Sequence, residues 1–119
     1  MTSERLKWEG DSQKEIKSWP EDVRQDIGAE LRRLQNHETP LMSKPMGSSL
    51  RGGYQISDED KDFWYRLLYA FHAGWIYVLH CFKKKTNQTA KRDLEIAKQR
   101  LVQAKLRDDA MSKGEEKSA

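Results

Sequence analysis

A chain of 119 residues, 36% hydrophobic and 34% charged with a formal net charge of +3, has room for one core and not for two. Its four Trp, four Tyr and three Phe are clustered, which argues against global disorder. The longest apolar run, Ala73 to Phe82, is about half of a bilayer span, and the start MTSERLKWEGDSQ has no apolar signal region, so a soluble cytoplasmic protein with no membrane partner is expected. The single cysteine, Cys81, excludes an intramolecular disulfide and a Cys-rich zinc site; it sits in an apolar run where a buried, inert thiol is expected.

In chain order, Arg5 to Trp8 has the makings of a brief strand. Ser12-Gln-Lys-Glu15 has the form of a capping box and opens a short helix to about Trp19. Pro20 punctuates, and a second helix to about Gln35 follows because Val23, Ile27, Leu31 and Leu34 fall on one stripe. The two helices read as a hairpin. From Asn36 to Gly53 the prolines and glycines mark a connecting segment without periodicity. Tyr54 to Ser57, Phe63 to Phe71 and Trp75 to Phe82 are aromatic and β-branched, separated by the turns SDEDKD and HAG, which predicts an antiparallel meander.

In the middle run the odd-numbered residues Phe63 to Phe71 are expected to face the core, with Trp64, Arg66, Leu68 and Ala70 on the other side. By the same alternation His80 is expected in register with Ile76, Val78 and Phe82. Ala90, Leu94, Ala97, Leu101 and Ala104 then predict a final helix to about Arg107, in a domain of residues 1–110 with a flexible tail at 111–119. The fold class is α+β, with a helical hairpin packed on a small antiparallel sheet and a C-terminal helix.

Charge is unevenly spread. Lys83 to Arg107 holds nine basic residues against Asp93 and Glu95, while the remainder of the chain is net acidic, which points to a phosphate-rich or acidic partner at one end of the fold. His37, His72, His80 and Cys81 lack metal-ligand spacing, and the glycines around Gly47 and Gly52 lack a phosphate-loop lysine, so no metal, nucleotide or other small-molecule cofactor is implied. Cationic chemistry remains. Arg66 interrupts an aromatic strand and must be paired, exposed on the opposite face, or placed to meet a ligand. Lys83, Lys84 and Lys85 are either a solvated strand end or, with Arg66 on the neighbouring strand, a polyanion site. His80 is either a packed, hydrogen-bonded histidine or a proton carrier. RNA cleavage needs little more than such a site, since the substrate's own 2′-hydroxyl can attack the phosphate while the protein orients it and stabilises charge.

The segment FWYRLLYAFHAGWIYVLHCFKKKTNQTAKRDLEIAKQRL, Phe63 to Leu101, resembles the phage-related HigB-type toxins of the RelE/ParE superfamily, most specifically in the combination of Tyr65-Arg66 with His80 to Thr86. The upstream SWPEDVRQDIGAELRRLQ and KPMGSSLRGGYQIS fit the same pattern. The resemblance implies a RelE-like fold and the toxin half of a type II toxin–antitoxin pair. Such a toxin cuts translated mRNA on the ribosome without a metal, and its neutralising partner is a cognate helix-turn-helix antitoxin. Arg66, Lys84 and His80 then match catalytic positions, while Arg51, Lys83, Lys85, Lys91 and Arg92 are expected to bind RNA. Tyr54-Gln55-Ile56-Ser57 departs from the Tyr-Glu-Leu-Arg-like form of the first meander strand, and Thr89-Ala90 stands where Thr-Pro is common. The same superfamily also implies two alternatives, a ParE-like inhibitor of DNA gyrase and a catalytically weak protein- or RNA-binding regulator.

Overall fold

The structure, a computed structural model, describes residues 5–118, with side chains as far as residue 111. Its order is β1 (Arg5–Trp8), α1 (Ser12–Lys17), α2 (Glu21–Gln35), β2 (Ser43–Pro45), a 3-10 turn at Gly47–Ser49, β3 (Gly53–Glu59), β4 (Trp64–His72), β5 (Trp75–Lys84) and α3 (Lys91–Ser118). The strands form one sheet in the order β1-β5-β4-β3-β2. The expected meander β3-β4-β5 is its centre. Each of its outer strands gains a neighbour: β1 runs parallel to β5, and β2 pairs antiparallel to β3.

β4 is buried on both sides, which corrects the expectation of one core face. Tyr65, Leu67 and Tyr69 pack with Ile56, Ile76, Val78 and Cys81 against Ile16 and Trp19 and against the α2 stripe of Val23, Ile27, Leu31 and Leu34. On the opposite side Leu68 and Ala70 join Tyr77, Leu79 and Phe82 beneath Ala97, Leu101 and Ala104 of α3. The sheet is therefore the middle of three layers. A near-continuous apolar run such as Arg66-Leu-Leu-Tyr-Ala70 is what a strand covered on both faces requires.

A bulge governs the register of β5. Tyr69 stands opposite Val78, but Leu68 stands opposite His80, leaving Leu79 as the extra residue. Side-chain parity switches there. Tyr77 and Leu79 lie beneath α3, and so do His80 and Phe82, which stack at 5.1 Å, whereas Ile76, Val78 and Cys81 lie beneath the helical hairpin. His80 is thus on the face opposite Ile76 and Val78, contrary to simple alternation. The tight β4–β5 connection has both Ala73 (φ 51) and Gly74 (φ 78) in the left-handed region, as a two-residue turn of type I′ requires.

Three boundaries differ from those read in the sequence. Ser12 is inside α1, and Asp11 precedes it without a side-chain cap, its carboxylate accepting from Arg100 at 3.0 Å; Glu15, the would-be capping-box partner, instead accepts the Trp19 indole N–H at 3.2 Å. β2 was hidden by Pro45, which an edge strand tolerates, and by a long-range tether. That tether is Glu30, fully buried, whose carboxylate accepts the backbone N–H groups of Leu41 and Met42, each at 2.9 Å, and pairs with Arg33 at 2.7 Å. Lastly, α3 passes Arg107 and continues to Ser118, within the stretch expected to be a tail. The next position of its buried stripe is Asp108, which accepts a hydrogen bond from Tyr77 and lies 3.5 Å from Lys7. A polar anchor does there what an apolar residue would do elsewhere, so hydrophobic periodicity stops too soon. The side chains of 112–118 and all of Ala119 lie outside the described residues.

One carboxylate works against the fold. Asp58 on β3 is pushed up to about 6, first by burial and then by a hydrogen bond and like charge from Asp26 and by the charge of Asp60. The folded state therefore binds this proton more readily than the unfolded chain, and stability declines as pH rises from about 4 through 6. Asp58→Asn is expected to raise the unfolding free energy at pH 7.5, by about 1 kcal/mol once solvent screening of a partly exposed group is allowed for, and to change it little at pH 4, as read by urea denaturation at both pH values.

Candidate functional site

The α3 face of the sheet is only partly covered. Cross-strand register aligns Lys44 with Gln55 and Leu68, then Ser57 with Arg66 and Phe82, then Glu59 with Trp64 and Lys84, so these side chains share that face in successive rows. α3 seals the Leu68 and Phe82 region. Beyond it lies an open depression of about 370 Å³ lined by Met42, Ser43, Lys44, Ser57, Trp64, Arg66 and Asn87.

Arg66 is 5% exposed and contributes to this depression. Its Nη1 donates to Ser57 Oγ at 2.7 Å, its Nη2 donates to Asn87 Oδ1, and its guanidinium lies 5.3 Å from the Trp64 ring centre. All three partners are neutral. Among the described residues no carboxylate lies within ion-pair distance of it. Burial lowers its pKa from the ordinary arginine value, and the charge of Glu59 opposes that shift. An arginine remains protonated under such conditions, so a nearly buried cation is solvated here by a hydroxyl, an amide and a π-face alone. A site of this kind attracts an anion.

His80 has a different environment. Its Nε2 is 2.8 Å from Asp93 Oδ1 and its Nδ1 is 3.4 Å from Arg100 Nη1. Because a guanidinium can only donate, Nδ1 acts as the acceptor and Nε2 carries the proton given to Asp93. Arg100 also donates to the Leu79 carbonyl at the bulge, at 2.9 Å, and reaches Asp11 at 3.0 Å. Both ring nitrogens are thereby engaged in joining β5, α3 and the start of α1. This is the packed, hydrogen-bonded histidine among the two readings of the sequence, and neither nitrogen faces the depression.

The three lysines do not act as one cluster. Lys84 shares the face of Arg66 and lies 2.9 Å from Asp93 Oδ2, an ion-pair separation with an angle unfavourable to a hydrogen bond. Lys83 points to the hairpin face, its Nζ 4.7 Å from the Phe63 ring centre. Lys85 is exposed just past the strand end, and Lys91 and Arg92 are exposed on the first turn of α3. Arg51 is elsewhere: it lies before Gly53, which pairs with Ala70, four residues along β4 from Arg66, and so roughly 13 Å from it at strand rise. There it lines a second depression with Lys98 and Lys105.

Four contributors were not expected at the site from the sequence, where Gln55, Ser57 and Thr89 stood out only as departures from the family pattern and Asn87 not at all. Ser57 supports Arg66; Gln55 Nε2 donates to Ser57 Oγ at 3.0 Å; Thr89 Oγ1 donates to Gln55 Oε1 at 3.2 Å; and Asn87 covers the guanidinium. The departures Gln55 and Ser57 are thus the residues that hold Arg66. The alternation Gln55/Ser57 opposite Leu68/Arg66 was the available signal.

The same geometry separates function from stability. Breaking a buried charged pair is destabilising, whereas an apolar residue of similar size in place of an unpaired buried charge is commonly neutral or stabilising. His80→Ala is expected to lower the unfolding free energy by about 2 kcal/mol. Arg66→Met is expected to leave it unchanged or raise it by about 1 kcal/mol. Parallel urea titrations with circular dichroism decide the matter; equal destabilisation would make Arg66 a structural residue.

Among the described residues no cluster of His, Cys, Asp or Glu has the form of a metal site, and no helix is long and apolar enough to cross a membrane. No match was found among curated proteins or among solved structures. The family model for phage-derived Gp49-like proteins (DUF891) matches residues 14–102, which takes in most of α1, all of α2, the three central strands and Arg66, Ser57, Asn87 and His80. That family is often tied to toxin–antitoxin systems. The chain belongs to the phage-derived Gp49-like family.

Proposed function

We propose that this protein is the toxin of a type II toxin–antitoxin pair, and that it acts as a HigB-like, ribosome-dependent mRNA endonuclease in the cytoplasm. The observation that carries the reading is Arg66: a guanidinium 5% exposed, with no carboxylate partner among the described residues, in a depression with Lys44 and Trp64 beside it. A phosphodiester supplies the missing negative charge, and an indole face supports an unstacked base. Lys85, Lys91 and Arg92 flank the same loop and add to the field that draws in a polyanion.

In this reading the RNA 2′-hydroxyl attacks the adjacent phosphorus and gives up its proton to solvent, a 2′,3′-cyclic phosphate forms as the 5′-oxygen leaves and takes a proton from solvent, and Arg66 stabilises the charge that grows on the phosphoryl oxygens. Lys84, already close to Asp93, contributes its field more than a direct contact. The proposed partners are the ribosome with its mRNA and a helix-turn-helix antitoxin that neutralises the toxin. Family membership is compatible with this role.

A second reading, a non-cleaving RNA- or protein-binding regulator of the same fold, is favoured by one observation: both nitrogens of His80 are engaged, which leaves it unsuited to move a proton to or from RNA. A gyrase inhibitor differs in target and is separated by a supercoiling assay.

Expression from a tightly repressed promoter, with and without the adjacent gene, tests the first reading. Growth arrest with cleavage of translated messages is expected for the unpartnered protein, and relief on co-expression of the neighbour. Arg66→Ala is expected to reduce cleavage by at least about a hundredfold, the scale of losing one transition-state donor. Intact messages during full growth arrest would favour a binding mode of toxicity, and unaffected growth would refute the toxin assignment.

A further inference from the structure

Arg66 is covered at its own site. Asn87, exposed on the loop between β5 and α3, sets its Oδ1 on Arg66 Nη2. A neutral amide binds a guanidinium less strongly than an oxyanion does, so this contact is an exchangeable one. Thr89, two residues on, ties the same loop to Gln55 at 3.2 Å, so Asn87 can swing away without the loop losing its anchor.

Ser57 offers a second donor. Its Oγ accepts from Arg66 Nη1 at 2.7 Å and from Gln55 Nε2 at 3.0 Å. A hydroxyl has two lone pairs, so both are taken and its own O–H is left to donate. No acceptor receives it among the described residues, and Ser57 lines the same depression as Arg66, Asn87 and Lys44. In this arrangement Gln55 turns its amide oxygen to the Thr89 hydroxyl and its amide nitrogen to Ser57.

We propose that Asn87 is a gate on an oxyanion site: a phosphodiester oxygen of single-stranded RNA displaces the Asn87 amide from Arg66, and the Ser57 hydroxyl becomes its second donor. The choice of RNA as the source of the phosphate rests on the function proposed above, whereas the gate rests on the contacts of Arg66, Ser57 and Asn87. Displacing the Asn87 side chain is then part of binding, and the resting protein binds more weakly than its own guanidinium permits.

The test uses the full-length protein in two arms. In the first, ¹⁵N-labelled protein is titrated with sodium phosphate at constant ionic strength while the Asn87 side-chain amide and the Arg66 Nε–H are followed by NMR. In the second, a fluorescein-labelled single-stranded oligouridylate is titrated by anisotropy. Both resonances are expected to move together in the wild type. Asn87→Ala is expected to bind phosphate and RNA roughly fivefold tighter, the equivalent of one neutral hydrogen bond no longer displaced. Asn87→Asp, which pairs with Arg66 permanently, is expected to weaken both at least about tenfold. Adding Ser57→Ala to Asn87→Ala should remove most of the gain. Phosphate that leaves the Asn87 and Arg66 signals in place, or an Asn87→Ala protein that binds no tighter, overturns the gate even if RNA binds. Phosphate results as expected with no RNA bound by any variant uphold the gate and overturn RNA as the ligand.

Discussion

β5 contains one residue more than β4 can match, and the arrangement of the site follows from that surplus. Up to Val78 the strand alternates in step with β4; at Leu79 it bulges, and from His80 onward its parity is reversed. Without the bulge, His80, Phe82 and Lys84 would face the helical hairpin, and Cys81 and Lys83 would face α3. With it, Phe82 stands beside Arg66, Lys84 beside Trp64, and His80 reaches Asp93 across to α3. A bulge disturbs a ladder locally and persists where its neighbours fix it. Here Arg100 holds the Leu79 carbonyl directly.

The consequence is a sheet whose two faces have different tasks. The hairpin face is filled along its length by Val23, Ile27, Leu31 and Leu34 of α2, packed with Tyr65, Leu67 and Tyr69. The α3 face is filled only as far as Leu68 and Phe82; past them the strands carry Ser57, Arg66 and Trp64 in the open depression, and Lys84, which meets Asp93 at the start of α3. The β5–α3 loop crosses that gap with Asn87 and Thr89. Polar residues in the rows beyond the core are therefore held by strands that the core has already made rigid. Such a scaffold is suited to holding a cation in a fixed direction.

Much of this was legible in the chain. The α2 stripe, the three central strands and the α3 stripe through Ala104 each obey a period that one buried surface imposes. What escaped was set by contacts distant in sequence. β2 depends on Glu30, eleven and twelve residues from the amides it holds. The end of α3 depends on Asp108 meeting Tyr77, thirty-one residues away. The bulge leaves no mark in the run from Ile76 to Phe82, because this part of the strand is buried on both faces and has no solvent side whose polar residues would show the switch. The site was half legible for the same reason: Arg66 stands out as a charge among aromatics, whereas Ser57, Gln55 and Asn87 are ordinary polar residues until the register places them around it.

The basic residues of the carboxy-terminal third, which look like one feature in the sequence, divide by face and by partner. Lys83 lies against Phe63 on the hairpin side, and Lys84 lies against Asp93. Arg100 is spent on the bulge, Asp11 and His80, and Arg107 pairs with Glu9. Cations that already have partners contribute little to a further ligand, because an incoming anion must compete with a fixed carboxylate or carbonyl. Local charge density is thus a poor guide to which residue binds. Arg66 lies outside that cluster, and yet it is the nearly buried cation with only neutral partners. With no carboxylate at ion-pair distance among the described residues, Arg66, more than the abundance of lysines nearby, is what makes this end of the sheet suited to an anion.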